Sequence, residues 1–230
     1  MKKLYPLIVI ISISMIIIWQ LFFTQANFYL VSSLILILSM LPLFASFEHE
    51  EHSAGELALI AGLIALAVVS RAAFYLVPQV KPIAAVVGVS GACLGARRGY
   101  LVGAFSMFVS NFLFGQGAWT PFQMVGMGLV GLVFGVLFKR LPLNRIYLAI
   151  VGFLSVTLIY GVIVDFCSVL FFNSNLEPGG IFSIYAAGLP FNLIFGAVTA
   201  ICLLLFGETL SARINRLNIK YGLCKENGNG

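Results

Sequence analysis

At 230 residues, with 61% hydrophobic and 9% charged side chains and a mean hydropathy of +1.07, the chain stands far from the roughly 25% charge of soluble domains. It is a membrane protein by composition, and a water-soluble enzyme is excluded. The net charge of +5 is a matter of where Lys and Arg meet the bilayer rather than of nucleic-acid binding.

Between Lys3 and Glu48 there are 44 consecutive uncharged residues, and between Arg98 and Lys139 another 40. A spanning helix takes roughly 20 apolar residues, so each stretch crosses about twice. The runs are continuous instead of alternating, which argues against a β-barrel. In chain order the pattern predicts helices over 4–24, 28–47, 57–77, 82–96, 99–115, 119–138, 146–172 and 182–207. The fold class is therefore all-α, with eight spans. The first segment opens on Lys2 and Lys3, but its apolar run is longer than a signal peptide's and is read as an uncleaved anchor. The acidic stretch from Glu48 to Glu56 separates a hairpin and linker, 1–56, from a six-helix core, 57–210; a basic tail occupies 211–230. Eleven of the thirteen basic residues fall in segments that share one side, with only Lys81 in an opposite loop and Arg71 inside a span. Positive residues favour the cytoplasmic side, so both termini are expected there, in the cell membrane of a prokaryote.

Several chemistries lack their residues. There is no G-x-x-x-x-G-K-[ST] loop, so no nucleotide site is expected and any ATP is used by a partner. His49 and His52 stand three apart, one short of the H-E-x-x-H zinc helix, and the four cysteines share no C-x-x-C spacing; neither a metal site nor a cofactor is expected. Asp165 is the one carboxylate deep in a predicted span, too few for paired-carboxylate catalysis.

Polar residues that persist inside apolar runs are costly in a bilayer and mark sites. At 1.5 Å per residue, Arg71, Asn111 and Asp165 lie about 21, 18 and 28 Å up their helices, in the outer half. Arg71 and Asp165 are expected to face the bundle interior, either paired with each other or toward a ligand. Gln116 and Gln123 share this layer, Asn192 lies near mid-membrane, and Phe74, Phe114 and Trp119 add flat apolar surface beside the amides, a small-molecule mixture. Gly91, Gly95, Gly99 and Gly103, with Gly131 and Gly135, read as internal packing faces. Ala58, Ala61, Gly62 and Ala65 form another smooth face at the cytoplasmic end of the third helix, one suited to a partner helix.

Residues 57–207 resemble the substrate-binding (S) components of energy-coupling factor (ECF) transporters, prokaryotic vitamin importers. The resemblance rests on Ala61-x-x-x-Ala65, on Ser70-Arg71-Ala72-Ala73-Phe74 leading to Pro78-Gln79-Val80-Lys81-Pro82, and above all on the stretch from Ser110 to Met124 containing Asn111-Phe112-Leu113-Phe114-Gly115-Gln116-Gly117-Ala118-Trp119. The cobalamin-type subgroup is the most similar. The resemblance implies a six-helix bundle with an outward pocket and no catalysis of its own. It also implies partnership with a membrane coupling protein and two ATPase subunits, met through Ala61 and Ala65; Ala58 and Gly62 join them in the partner face read from the small residues. The polar and aromatic layer read above supplies the candidate substrate-binding residues, Arg71, Phe74, Gln79, Asn111, Phe114, Gln116, Trp119, Gln123, Asp165 and Asn192, and the resemblance implies that loops at 78–82, 114–120 and 174–181 close over the ligand. The N-terminal hairpin departs from the six-helix pattern. A membrane scaffold of the cell-shape or division machinery is the rival expectation, and a lipid-modifying enzyme using Arg71 and Asp165 lacks a nucleophile.

Overall fold

The computed structural model describes residues 37, 38, 40, 41, 53–77, 79–172 and 177–221. The predicted hairpin therefore lies almost wholly outside the described residues, as do His49, His52 and the end of the tail. The core is six helices: α1 Ala54–Ala73, α2 Ile83–Leu94, α3 Ala96–Phe114, α4 Thr120–Leu137, α5 Arg145–Phe172 and α6 Pro178–Tyr221. Of these, α1, α4, α5 and α6 are long and apolar enough to cross a membrane.

Local chemistry explains the boundaries. The Ser53 hydroxyl caps α1 by accepting from the Glu56 amide at 3.1 Å, and Glu56 places a negative charge at the helix's positive end. Asn144 does the same for α5, accepting from Ile146 N at 2.7 Å. Pro121 occupies the first turn of α4, where a missing N–H costs nothing. A single residue, Gly95, joins α2 to α3; its φ of +90° belongs to glycine. The break thus falls before Arg97 and Arg98, which lie in the first turn of α3 instead of in the connecting turn the sequence suggested.

Two elements depart further from expectation. Residues Ser155–Tyr160 of α5 form a π-helical segment, a widening often found beside functional positions. The last helix runs on to Tyr221, past the predicted end at 207 and through the start of the stretch read as a tail. Its 44 residues span about 66 Å, roughly twice the hydrocarbon thickness, so its basic end projects beyond the membrane.

Connectivity sets two ends. At the basic end, Glu56 pairs with Arg98 at 2.6 Å, and Glu208 accepts from the Arg145 amide at 3.0 Å. The C-terminal ends of α1, α3 and α5 lie at the opposite end. Helix α4 is central, with Phe134, Met127 and Val130 fully buried against Val87 of α2, Val102 of α3 and Leu148 of α5. Hydrophobic burial gives little drive to helix association in lipid, so close backbone approach carries more of it. Gly99 of α3 faces Gly131 of α4, and a Cβ on either would enter the other's backbone; Gly91 meets Gly131 in the same way, and Gly103 meets Met127. Of the expected packing glycines, Gly91, Gly99, Gly103, Gly131 and Gly135 make these approaches, whereas a Cβ on Gly95 would meet nothing within 4 Å, because that residue is the link between the helices. Met40, from the N-terminal segment, is buried against Tyr100, Ala104 and Val125, which places that contact on α3 and α4.

One seam stays open. Helices α1 and α6 scarcely touch. Near the basic end a groove of about 540 Å³ separates them, lined by Ala58, Gly62 and Leu66 on one wall and Leu210, Arg213 and Leu217 on the other. Ala58, Ala61, Gly62 and Ala65 are all exposed, and a Cβ on Gly62 would meet nothing within 4 Å.

Candidate functional site

The opposite end of the bundle holds a continuous polar network on α1, α3 and α4. Arg71, only 6% exposed, donates through Nη1 to Ser110 Oγ and to Asn111 Oδ1 at 2.9 Å, with Met107 Sδ at 3.5 Å. Its guanidinium lies over the Phe114 ring, 4.2 Å from the centroid, and Tyr75 packs on the same ring at 5.3 Å. Cation–π contact of this kind offsets part of the desolvation of a buried cation. Asn111 passes the network to α4, its Nδ2 donating to Gln123 Oε1 at 2.8 Å and Thr120 Oγ1 at 3.2 Å.

Gln116 braces the turn between α3 and α4. Its Nε2 donates to the Phe108 carbonyl at 2.9 Å, and its Oε1 accepts from Thr120 Oγ1 at 3.0 Å, while that hydroxyl accepts from Gly117 N at 3.2 Å. Gly115, at φ +100°, allows the reversal, and the indole of Trp119 lies over Gly117, where a side chain would collide with it. Both ends of the Gln116 amide are used, so it shapes the site more than it offers a free group.

Asp165 and Asn192 form a separate pair on α5 and α6. Asn192 Nδ2 donates to Asp165 Oδ2 at 2.6 Å, Gly188 leaves the space that the carboxylate fills, and Tyr185 donates to the Val162 carbonyl at 3.3 Å. Arg71 therefore does not pair with Asp165, the alternative the sequence left open. Helical rise gives the height of a residue in the membrane but not its direction around the helix, and the two point to different neighbours. Tyr160, the last residue of the π segment, packs edge-on against Phe195 of α6 at 5.4 Å and lies over Gly126 of α4.

The other candidates divide. Phe74 turns to the side, lining a groove of about 340 Å³ with Pro82, Cys202 and Phe206, away from the Arg71 network. Gln79 sits in the loop between α1 and α2 at φ +61°, a left-handed conformation that costs a non-glycine residue about 1 kcal/mol or more. Two residues on, Lys81 is half-buried; burial first, and then the charge of Arg71, holds its ammonium below the usual lysine range. Lys81, Ser110, Thr120 and Tyr160 were not among the candidate site residues read from the sequence. Serine and threonine are common in spanning helices, and only the polar partner on another helix distinguishes Ser110 and Thr120.

A double-mutant cycle tests the separation of the clusters. Arg71→Met and Asp165→Leu share no hydrogen-bond partner, so their effects on thermal stability should add to within about 0.5 kcal/mol. A coupling several times larger, with the double variant restored toward the parent, would mean that the two charges do pair.

The model of the family described as ECF-type riboflavin transporter, S component, matches residues 51–212. No curated protein and no solved structure matches the chain significantly. The matched span contains all six core helices up to the projecting part of α6, together with the polar network and the open α1 face. Six helices, a buried polar network at one end and a smooth uncovered helix face at the other accord with that match over most of the chain, and the protein belongs to the family of ECF-type riboflavin transporter S components.

Proposed function

We propose that the chain is the substrate-specific membrane component of an ECF importer. It captures a vitamin-class molecule at the end of the bundle that carries Arg71, Asn111 and Gln123, and a membrane coupling protein with two ATPase subunits drives its release on the other side. The observation that carries this reading is the division of the family's fold into two ends: a polar and aromatic network at one, and the exposed Ala58, Ala61, Gly62 and Ala65 face at the other. Because eleven of thirteen basic residues gather at the second end and its predicted continuations, that end lies in the cytoplasm and the network faces outward.

Binding and energy are thereby assigned to different proteins. The network holds the ligand by hydrogen bonds and stacking, and the coupling helix enters the α1 and α6 groove from the basic end. Contact with the partner can favour release only through a state of the bundle to which both sites are linked. Riboflavin, named by the family, and cobalamin, from the subgroup the sequence resembles, are the first two substrates to test. In a vitamin panel the true ligand at 100 times its Kd should stabilise the purified chain by about 2.7 kcal/mol. If no vitamin stabilises the chain and no coupling protein or ATPase purifies with it, the transport reading fails.

A further inference from the structure

Arg71 is a buried cation surrounded by neutral groups: a hydroxyl, an amide, a thioether and an aromatic face. Among the described residues no carboxylate pairs with it. Asp165 is held by Asn192, and Glu56 pairs with Arg98 at the other end of the bundle. The guanidinium Nε is enclosed and has no acceptor. A second cation makes the imbalance larger: Lys81, on the connection that follows α1, is half-buried and likewise without a carboxylate among the described residues, and burial first, then the charge of Arg71, holds its ammonium below the usual lysine range.

A purely structural role explains only part of this. A brace for Ser110 and Asn111 uses Nη1 alone, and a neutral donor would serve it without the cost of desolvating a charge. Nor does a brace require a second cation, placed by a loop that contains the left-handed Gln79. An unpaired buried charge persists where something else completes it.

We propose that the substrate carries an anionic group, a phosphate or a carboxylate, which is held between Arg71 and Lys81. The proposal rests on the transport reading for the identity of the bound molecule and narrows it from any vitamin to an acidic or phosphorylated one. The anion completes the Nε donor and offsets both charges, while Phe114 and Tyr75 offer aromatic surface to the rest of the molecule. Lys81 lies on the connection between α1 and α2, which begins three residues after Arg71, so the chain itself carries the second charge to the Arg71 end of the bundle.

Inorganic phosphate, riboflavin and riboflavin 5′-phosphate serve as probes of the purified full chain in neutral detergent, read by thermal stability and equilibrium binding. Phosphate should stabilise the parent and lose that effect in Lys81→Gln, a loop variant that leaves the helices intact, and in Arg71→Met. Riboflavin 5′-phosphate should bind about tenfold or more tightly than riboflavin, with the advantage lost in both variants and reduced by salt. Equal affinities for the two flavins, or a phosphate effect unchanged in Lys81→Gln, would overturn the proposal. Phosphate stabilisation through Lys81 with no flavin bound keeps the anion site and removes only flavins as substrates. Phosphatidylglycerol added to the micelles separates a lipid headgroup from a soluble ligand: stabilisation by the lipid through Arg71 and Lys81, with none by phosphate, would overturn the assignment to substrate.

Discussion

Ala65→Trp should reduce uptake by cells or reconstituted vesicles to background while the isolated chain binds its ligand within about twofold of the parent affinity. The reason is distance along α1 as well as bulk. Ala65 is exposed on the same stripe as Ala58, Ala61 and Gly62, and Arg71 enters the polar network nearly two turns further on. An indole on this stripe holds a partner helix away by several ångströms, which forfeits the close packing on which helix association in lipid depends. Ala61→Trp should act in the same way. Neither change removes a buried contact, because these positions are open in the folded chain. Transport and binding lost together would reassign the face to internal stability, and unchanged transport would remove it from the partner surface. The far wall of the groove gives a graded companion: Leu217→Ala, on the projecting part of α6, should weaken the assembly less than a bulky substitution on α1.

The placement of the helices was legible because uncharged runs of membrane length have few alternatives, and five of the six described helices start and stop within a few residues of the sequence reading. The exception is instructive. Arg213, Arg216 and Lys220 mark where α6 leaves the hydrocarbon, and leaving the membrane was read as leaving the helix. The two are independent, since the segment through Arg213 and Leu217 carries no glycine or proline to stop it.

The site was legible in its expensive residues and obscure in its cheap ones. Arg71, Asn111 and Gln123 stood out because amide and guanidinium groups inside apolar runs demand partners. Ser110 and Thr120 did not, because a hydroxyl can bond to its own helix, as Ser110 does to the Met107 carbonyl at 3.2 Å. Lys81 looked like an ordinary loop cation. Its inward placement depends on the turn at Gln79 and Pro82, which no periodicity encodes.

Gly131→Val should abolish the folded protein, seen as loss of the monodisperse peak in detergent gel filtration. Overpacking a core by a methyl or two ordinarily costs about 1–3 kcal/mol, because side chains elsewhere can move aside. At Gly131 the main obstacle is backbone: a Cβ would enter the Gly99 carbonyl of α3, with the buried Val87 side chain of α2 3.1 Å away on the other side. Relieving both means separating α4 from two helices at once, with the buried Val87 and Val130 losing their contacts as well. Gly62→Val is the matched control, an equal change in a spanning helix where a Cβ meets nothing within 4 Å, and it should leave the peak intact. A folded Gly131→Val variant with parental ligand binding would show that α3 and α4 are held by the Arg71 and Asn111 network rather than by backbone proximity. In that case Asn111→Leu, which deprives Arg71, Thr120 and Gln123 of a partner together, should be the substitution that unfolds the bundle.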